Sequence, residues 1–118
     1  MKKLLLFIAF CTFAIQGYSQ KLDLGTYTDY SNSSTGSSQS AIPASNGNGR
    51  VGWFIQNVSG DGSVMYINFT TAASTNDGSL KLADGSSITS LNFCTLELIN
   101  IYCASSGKSF IAKEFIGK

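Results

Sequence analysis

The side chains that could carry out catalysis in this 118-residue chain are carboxylates and serines, because the sequence contains no histidine. Histidine is the usual general base and the usual partner of a nucleophilic serine or cysteine. A pair of carboxylates can hydrolyse a glycosidic bond, but that reaction also needs a deep cleft. The acidic candidates lie in predicted turns or short strands of a small domain: Asp61, Asp77, Asp84, Glu97 and Glu114. The sequence therefore predicts a protein that is not an enzyme, with no catalytic residue and no cofactor.

The tripeptide Asp-Gly-Ser occurs at 61–63, 77–79 and 84–86, each time just before a predicted strand. Aspartate accepts hydrogen bonds from nearby backbone amides and glycine adopts positive φ, so this tripeptide favours tight turns. Calcium binding by the carboxylates is the alternative. Calcium takes about six to eight oxygen ligands, and these loops lack a spaced series of Asp or Asn residues. We therefore predict turns here, and no metal site.

Aromatic side chains are the candidates for ligand binding, because aromatic faces stack on sugar rings in carbohydrate-binding modules. Trp53, Tyr66 and Tyr102 lie in predicted strands, whereas Tyr27 and Tyr30 lie in a polar segment. Strand propensity favours a core or half-buried position for Trp53 and Tyr66. Exposure is expected for the two tyrosines of the polar segment. The candidate ligand-binding residues are Trp53, Tyr27 and Tyr30, with a core position as the competing interpretation of Trp53.

The first residues have the layout of a secretory signal peptide. Lys2 and Lys3 precede an apolar run over 4–15, and Gly17 and Ser19 are small residues at the −3 and −1 positions of a cut after Ser19. The run is shorter than the roughly 20 residues of a transmembrane helix. We therefore predict a cleaved signal peptide over 1–19, no integral membrane segment in the mature chain, and a secreted, periplasmic or cell-surface protein.

Two cysteines, Cys94 and Cys103, follow the predicted leader. Outside the cytoplasm, two cysteines in a short chain usually pair. A disulfide needs the two Cα atoms within about 7 Å, whereas one straight strand over 94–103 would separate them by about 30 Å. Either the chain bends near 95–98 and the disulfide forms, or the thiols stay free as small buried side chains.

The charge pattern does not favour nucleic acid or an anionic membrane as a partner. The whole chain has 8 Lys and Arg residues against 7 Asp and Glu residues. Removing Lys2 and Lys3 with the leader makes the net charge slightly negative, and the remaining charges are scattered. Nucleic acids and anionic membranes are bound by clustered basic residues. We therefore expect no nucleic-acid partner.

Hydrophobic alternation and turn residues predict an all-β domain. Residues 20–49 are mostly polar and predict a flexible arm with a candidate edge strand over 41–44. The packed domain is predicted over 50–118, with strands at 51–58, 63–70, 79–82, 86–93, 96–104 and 109–116. The first two strands are expected to form a hairpin through the turn at 59–62, with Met65, Ile67 and Phe69 on one face. The pattern predicts a small antiparallel β-sandwich or a jelly-roll-like domain.

The order of features over residues 50–115 resembles the small all-β accessory domains of tailed-phage virions, as in capsid decoration proteins and tail-fibre parts. The resemblance is carried by Arg50 before 52–57 (GWFIQN), 64–69 (VMYINF), 76–78 (NDG), 82–88 (LADGSSI), 99–107 and 112–115 (AKEF). It implies a β-sandwich that docks on a protein lattice, often as an oligomer, without catalytic residues. It also implies that Ile55, Gln56 and Asn57 form a strand end, with Asn57 fixing the turn.

Two function hypotheses follow from these observations. The first is a non-catalytic, exported structural or surface module that acts by protein–protein contact, either on a protein lattice or by self-association as a homo-oligomer, and that belongs to a virion if the gene is a phage gene. The second is a secreted carbohydrate-binding or adhesion module of a bacterial cell surface, with a glycan as its partner.

The predicted leader can be tested by peptide mass spectrometry on culture supernatant, cell envelopes and virus particles, after alkylation without reduction. We expect a mature chain that begins at Gln20, with Cys94 and Cys103 protected from alkylation. A chain that begins at Met1 in purified particles would contradict the cleaved leader.

Overall fold

The computed structural model describes residues 25–45, 49–76, 78–90 and 95–117. The predicted signal peptide over 1–19 lies outside these residues, and so does Cys94. Nine β-strands occur within the described residues: β1 Thr26–Asp29, β2 Asn32–Thr35, β3 Gln39–Ile42, β4 Arg50–Asn57, β5 Met65–Phe69, β6 Leu80–Leu82, β7 Ser87–Thr89, β8 Ile99–Tyr102 and β9 Ser106–Ile116.

The strands form two antiparallel sheets that pack face to face. The five-stranded sheet has the order β1-β9-β4-β7, with β2 also paired to β9. The four-stranded sheet has the order β3-β8-β5-β6. The described part of the chain contains no helix. The predicted all-β class and the two-sheet antiparallel sandwich are therefore confirmed.

The predicted hairpin of the first two core strands is wrong. β4 pairs with β9 and β7, whereas β5 pairs with β8 and β6, so the two strands lie in different sheets. The connection over 58–64 crosses between the sheets. A two-sheet fold permits this because a short turn can join strands of facing sheets as well as neighbours in one sheet.

The polar segment before Arg50 is part of the sandwich and not a flexible arm over its described residues. β1 and β2 pair with successive parts of β9, and β3 pairs with β8 at the edge of the other sheet. The edge strand predicted over 41–44 overlaps β3 at residues 41–42. A strand at an edge needs backbone partners and few apolar side chains, so the low hydrophobicity of this segment does not prevent pairing.

The core lies between the two sheets and follows the alternation of each strand. Met65 and Ile67 point into it from β5, as the sequence predicts. The core also contains Ala41, Ile42, Trp53, Ile55, Leu82, Ile99, Ile101, Cys103, Phe110 and Ala112. The residues between them in β4, β5 and β9 are half-buried or exposed on the outer faces.

Asn57 is a buried polar residue at the end of β4. Its Nδ2 donates to the carbonyl oxygens of Ser63 at 2.8 Å and Leu82 at 3.0 Å, and its Oδ1 accepts from the Ser59 amide. The side chain therefore connects the end of β4 to the chain entering β5 and to β6 of the facing sheet. A buried polar group with all of these partners is stabilising, because its amide oxygen and nitrogen are hydrogen-bonded away from water.

We expect the substitution Asn57→Ala to lower the free energy of unfolding by about 2–3 kcal/mol, because it removes three hydrogen bonds of a buried side chain, two to carbonyl oxygens and one from an amide. Urea unfolding followed by Trp53 fluorescence measures this change. Gln56→Ala is the matched control, since Gln56 is the preceding residue on the outer face, and it should change the free energy by less than about 1 kcal/mol. An Asn57→Ala protein as stable as the control would contradict the role of this side chain.

Candidate functional site

Trp53 is a core residue. It is 2% exposed, and its ring packs against Phe69 with the centroids 5.6 Å apart. Its backbone pairs with Ser90, which accepts from the Trp53 amide through Oγ at 2.9 Å. A buried ring cannot stack on a sugar in this conformation. The structure therefore corrects the assignment of Trp53 to a ligand site and confirms its core position.

Tyr30 is half-buried and belongs to a polar network inside one end of the sandwich. Its hydroxyl donates to Glu114 Oε2 at 3.2 Å, and its amide donates to the carbonyl of Ala112 at 2.8 Å. Burial raises the pKa of the Tyr30 hydroxyl, and the nearby negative charge of Glu114 raises it further. The phenol is therefore a neutral donor to Glu114 near neutral pH, and the side chain is not displayed as a stacking surface.

Arg50 is at the centre of this polar network. Its Nε donates to Glu114 Oε1 at 2.6 Å, and the side-chain exposures are 0% for Arg50 and 7% for Glu114. Its Nη1 donates to the carbonyls of Thr95 at 2.8 Å and Glu97 at 3.0 Å, and its Nη2 donates to the carbonyl of Pro43. One guanidinium thus joins β4 and β9 of one sheet to the segments before β8 and after β3 of the other.

Tyr27 is exposed, in agreement with the sequence prediction. It is 60% exposed on the outer face of the five-stranded sheet, and Lys113 Nζ lies 4.8 Å from its ring centroid. Lys113 also lies 3.9 Å from Asp29 Oδ2. Hydrogen bonds from the Ser31 hydroxyl and amide lower the pKa of Asp29, and the charge of Lys113 lowers it further. Tyr27 is therefore flanked by one cation and one anion.

Tyr27, Val51 and Phe115 form an exposed apolar patch on this face, called the apolar patch below. Phe115 is directly opposite Tyr27 in the pairing of β1 with β9, and opposite Gly52 in the pairing of β9 with β4. A Cβ atom on Gly52 would lie 3.5 Å from Phe115 Cδ2, so the ring lies against the glycine backbone. Val51 is 61% exposed and Phe115 is 40% exposed.

Sequence reasoning did not select Val51 and Phe115 as functional residues. The alternation of β9 was the available signal for Phe115: Phe110, Ala112 and Glu114 point inward, so Phe115 must point outward. The alternation of β4 does not predict the exposure of Val51, because a β-bulge between Arg50 and Gly52 interrupts it. No residue pattern in the sequence indicates that bulge.

The Asp-Gly-Ser turns form as predicted where they are described. Gly62, Gly78 and Gly85 all have positive φ. Asp61 accepts from the Ser63 amide, while Asp84 accepts from the amides of Gly60 and Gly62.

The carboxylates of Asp61 and Asp84 form hydrogen bonds and an ion pair with other residues of the protein. The hydrogen bond from Lys108 lowers the pKa of Asp61 most, followed by those from Ser63. The Gly62 and Gly60 amides lower the pKa of Asp84. Asp77 lies outside the described residues. Within the described part of the chain, no group of three His, Cys, Asp or Glu side chains could hold a metal ion.

Cys103 is buried beside the core and forms no disulfide with another described residue. The four residues before β8, 95–98, are not part of a strand, so the chain has the interruption that a bridge would require. Because Cys94 lies outside the described residues, the pairing of Cys94 with Cys103 stays a prediction.

Tyr66 and Tyr102 form an aromatic pair on the outer face of the four-stranded sheet. They are directly opposite each other in β5 and β8, and their ring centroids are 6.3 Å apart at an angle of 41°. Both side chains are half-buried, whereas Met65, Ile67 and Ile101 beside them are core residues. The sequence identified these tyrosines as aromatic candidates, but the pairing of β5 with β8 is what brings them together.

No protein-family model, curated protein or solved structure matches this chain. Over the part of the chain that the structure describes, no helix has the length and hydrophobicity needed to cross a bilayer.

We expect Glu114→Gln to lower the free energy of unfolding by about 3 kcal/mol, because it leaves the buried charge of Arg50 without its counter-charge. The measurement is urea unfolding near neutral pH. Glu97→Gln is the control, because Glu97 is exposed and contacts Arg50 only through its backbone carbonyl, which the substitution keeps. The double substitution Arg50→Met, Glu114→Leu should lower the free energy of unfolding by less than the sum of the losses for Arg50→Met alone and Glu114→Leu alone. Strict additivity of the two losses would contradict a coupled pair.

Proposed function

We propose that this chain is a non-catalytic, exported structural module that acts by protein–protein contact through the apolar patch of its five-stranded sheet. The observation that carries the proposal is the exposure of Tyr27, Val51 and Phe115 together on one face. Exposed apolar side chains are common one at a time, but neighbours on adjacent strands indicate a contact surface.

The three residues come from three different strands, and this placement makes the patch rigid. β9 lies between β1 and β4, and both neighbours pair with its C-terminal part, 113–116. The Arg50–Glu114 pair lies beneath the same part of β9, on the core side. An interface built on such a fixed backbone loses little conformational freedom when a partner binds.

We propose a second copy of this chain as the partner at the patch. Lys113 and Asp29 flank Tyr27 on the same face, so the surface carries one cation and one anion beside its apolar residues. In a two-fold interface, each residue of one copy can contact its complement on the other copy. Lys113 of each protomer can then meet Asp29 of its partner, around a shared apolar centre. This charge arrangement is complementary to itself.

Features of the sequence support the exported, non-catalytic and oligomeric parts of the proposal. The sequence has a leader layout and lacks histidine. The resemblance of residues 50–115 to small accessory domains of phage virions supports an oligomeric structural role. That resemblance alone supports a place on a virion. The sandwich architecture is compatible with such a role. It does not single that role out, because one fold can carry many functions.

Sedimentation velocity of the purified chain tests the proposed contact. We expect a concentration-dependent dimer for the natural sequence, and a monomer for Phe115→Ser or Tyr27→Ser, because each removes apolar area from the centre of the interface. Raising the salt concentration should weaken the dimer modestly, since the flanking charges are exposed.

Leu80→Ser is the matched control for this experiment. Leu80 is 45% exposed, which is close to Phe115, but it lies on the edge strand β6 of the other sheet. The control should leave the dimer intact. A natural protein that stays monomeric at about 0.1 mM, a concentration that detects even weak specific dimers, would overturn self-association at this patch. Equal weakening by Leu80→Ser would move the contact away from it.

A further inference from the structure

The outer face of the four-stranded sheet carries a second cluster that the proposed protein contact does not use. Tyr66 is directly opposite Tyr102 on β8 and directly opposite Lys81 on β6. The three side chains therefore form one row across three neighbouring strands. This row is called the tyrosine row below.

The tyrosine row is partly exposed to solvent, and its phenol hydroxyls lack hydrogen bonds to the other described residues. Tyr66 and Tyr102 are half-buried and Lys81 is exposed. Neither phenol hydroxyl is hydrogen-bonded to another described residue, in contrast to the hydroxyl of Tyr30. Buried tyrosines usually find a partner for the hydroxyl. These two instead present ring surface and a polar group at the protein surface.

Lys81 differs from the other described cations. Arg50, Lys108 and Lys113 each lie within 4.0 Å of a carboxylate, and no described carboxylate lies that close to Lys81. Its ammonium group is thus the described cation whose charge is not offset by an ion pair. Beside two aromatic rings, it provides a positive charge for an anionic group of a ligand.

A polar loop borders the tyrosine row on the same face. One step further along β5 and β8, Asn68 is opposite Asn100. Asn100 Nδ2 donates to the Thr71 carbonyl at 2.8 Å, and Asn68 Nδ2 contacts Ser79 Oγ at 3.4 Å. Because these amides point to the outer face, they hold the connection between β5 and β6 against that face, about 7 Å from the tyrosines along the strands.

We infer that the tyrosine row is a binding site for an acidic glycan. The C–H faces of a pyranose ring are apolar and match the paired rings of Tyr66 and Tyr102, while the sugar hydroxyls can bond to the phenols. A uronate carboxylate then complements Lys81. The size of the aromatic pair fits one or two sugar units of a chain that lies across the strands. A protein partner is less suited to this face, because its apolar area is limited to two tyrosines within a polar border.

This site is distinct from the sugar-stacking residues expected from the sequence. Trp53 is buried in the core, and Tyr27 belongs to the apolar patch of the other sheet. The two faces point in opposite directions, with the core between them. A substitution in the apolar patch therefore leaves the tyrosine row intact, and a substitution in the tyrosine row leaves the apolar patch intact.

Affinity electrophoresis of the purified chain in gels containing polygalacturonate, alginate or hyaluronate tests the site, with neutral dextran as the uncharged reference. We expect retardation by at least one of the three uronate polymers and none by dextran. Tyr102→Ala should weaken the binding by about tenfold, as expected for a tyrosine at the centre of a contact. Lys81→Gln should weaken it by about threefold at low salt, the effect of one exposed charge.

Two controls separate binding from folding and from the proposed dimer. Lys81→Gln changes an exposed residue and should leave the unfolding transition unchanged, so its effect reports the site alone. Phe115→Ser should abolish the dimer without changing the retardation. The inference is overturned if none of the uronate polymers retards the natural protein, if dextran retards it equally, or if Tyr102→Ala and Lys81→Gln both bind as the natural protein does.

Discussion

Arg50, which forms a buried ion pair with Glu114 of the same sheet, joins the two sheets at one end of the sandwich. Arg50 also binds three carbonyl oxygens of segments adjoining the facing sheet, so one side chain satisfies backbone that would otherwise be buried without donors. A buried charge is expensive to desolvate, and this cost is offset because Nε, Nη1 and Nη2 of Arg50 all donate to acceptors. The hydrogen bonds of Arg50 hold the segments after β3 and before β8 against β4 and β9.

This positioning connects the interior of the protein to its surface. Glu114 and Phe115 are neighbours in β9, and the strand places one side chain in the buried network and the other on the outer face. Tyr30 extends the network towards β1, whose Tyr27 faces outward beside Phe115. The geometry of the exposed apolar patch is thus set by the polar interactions directly beneath it.

The two outer faces differ in chemistry because the residues between core positions differ. Around the C-terminal part of β9 they include Tyr27, Val51 and Phe115, with Lys113 and Asp29 as a pair of opposite charges. On β5 and β8 they are two tyrosines and two asparagines, beside Lys81 on β6, which has no ion pair with a described carboxylate. The first face suits another protein surface, and the second suits a polar ligand with an apolar ring. One small domain can therefore present two surfaces that do not compete.

Much of the fold could be predicted from local sequence. Alternating residues in 63–70 correctly indicated that Met65 and Ile67 face the core, and the Asp-Gly-Ser turns were recognised from residue type alone. The flexible arm predicted over 20–49 is wrong for its described residues, because a polar composition does not exclude pairing in a sheet. Its strands are held by backbone hydrogen bonds to β9 and β8, which composition does not report. The hairpin of β4 with β5 was misassigned because a turn sequence does not specify which sheet the next strand joins.

Residue types and short-range order are enough to predict the all-β class, the strand periodicity and most turns of this chain. The tertiary structure alone decided which strands are neighbours, and hence that Phe115 meets Tyr27, that Tyr66 meets Tyr102 and Lys81, and that Arg50 meets Glu114. These contacts join residues 15 to 88 positions apart in the printed sequence. Local patterns carry little information about such pairings, since any strand of suitable length offers the same backbone donors and acceptors to every possible neighbour.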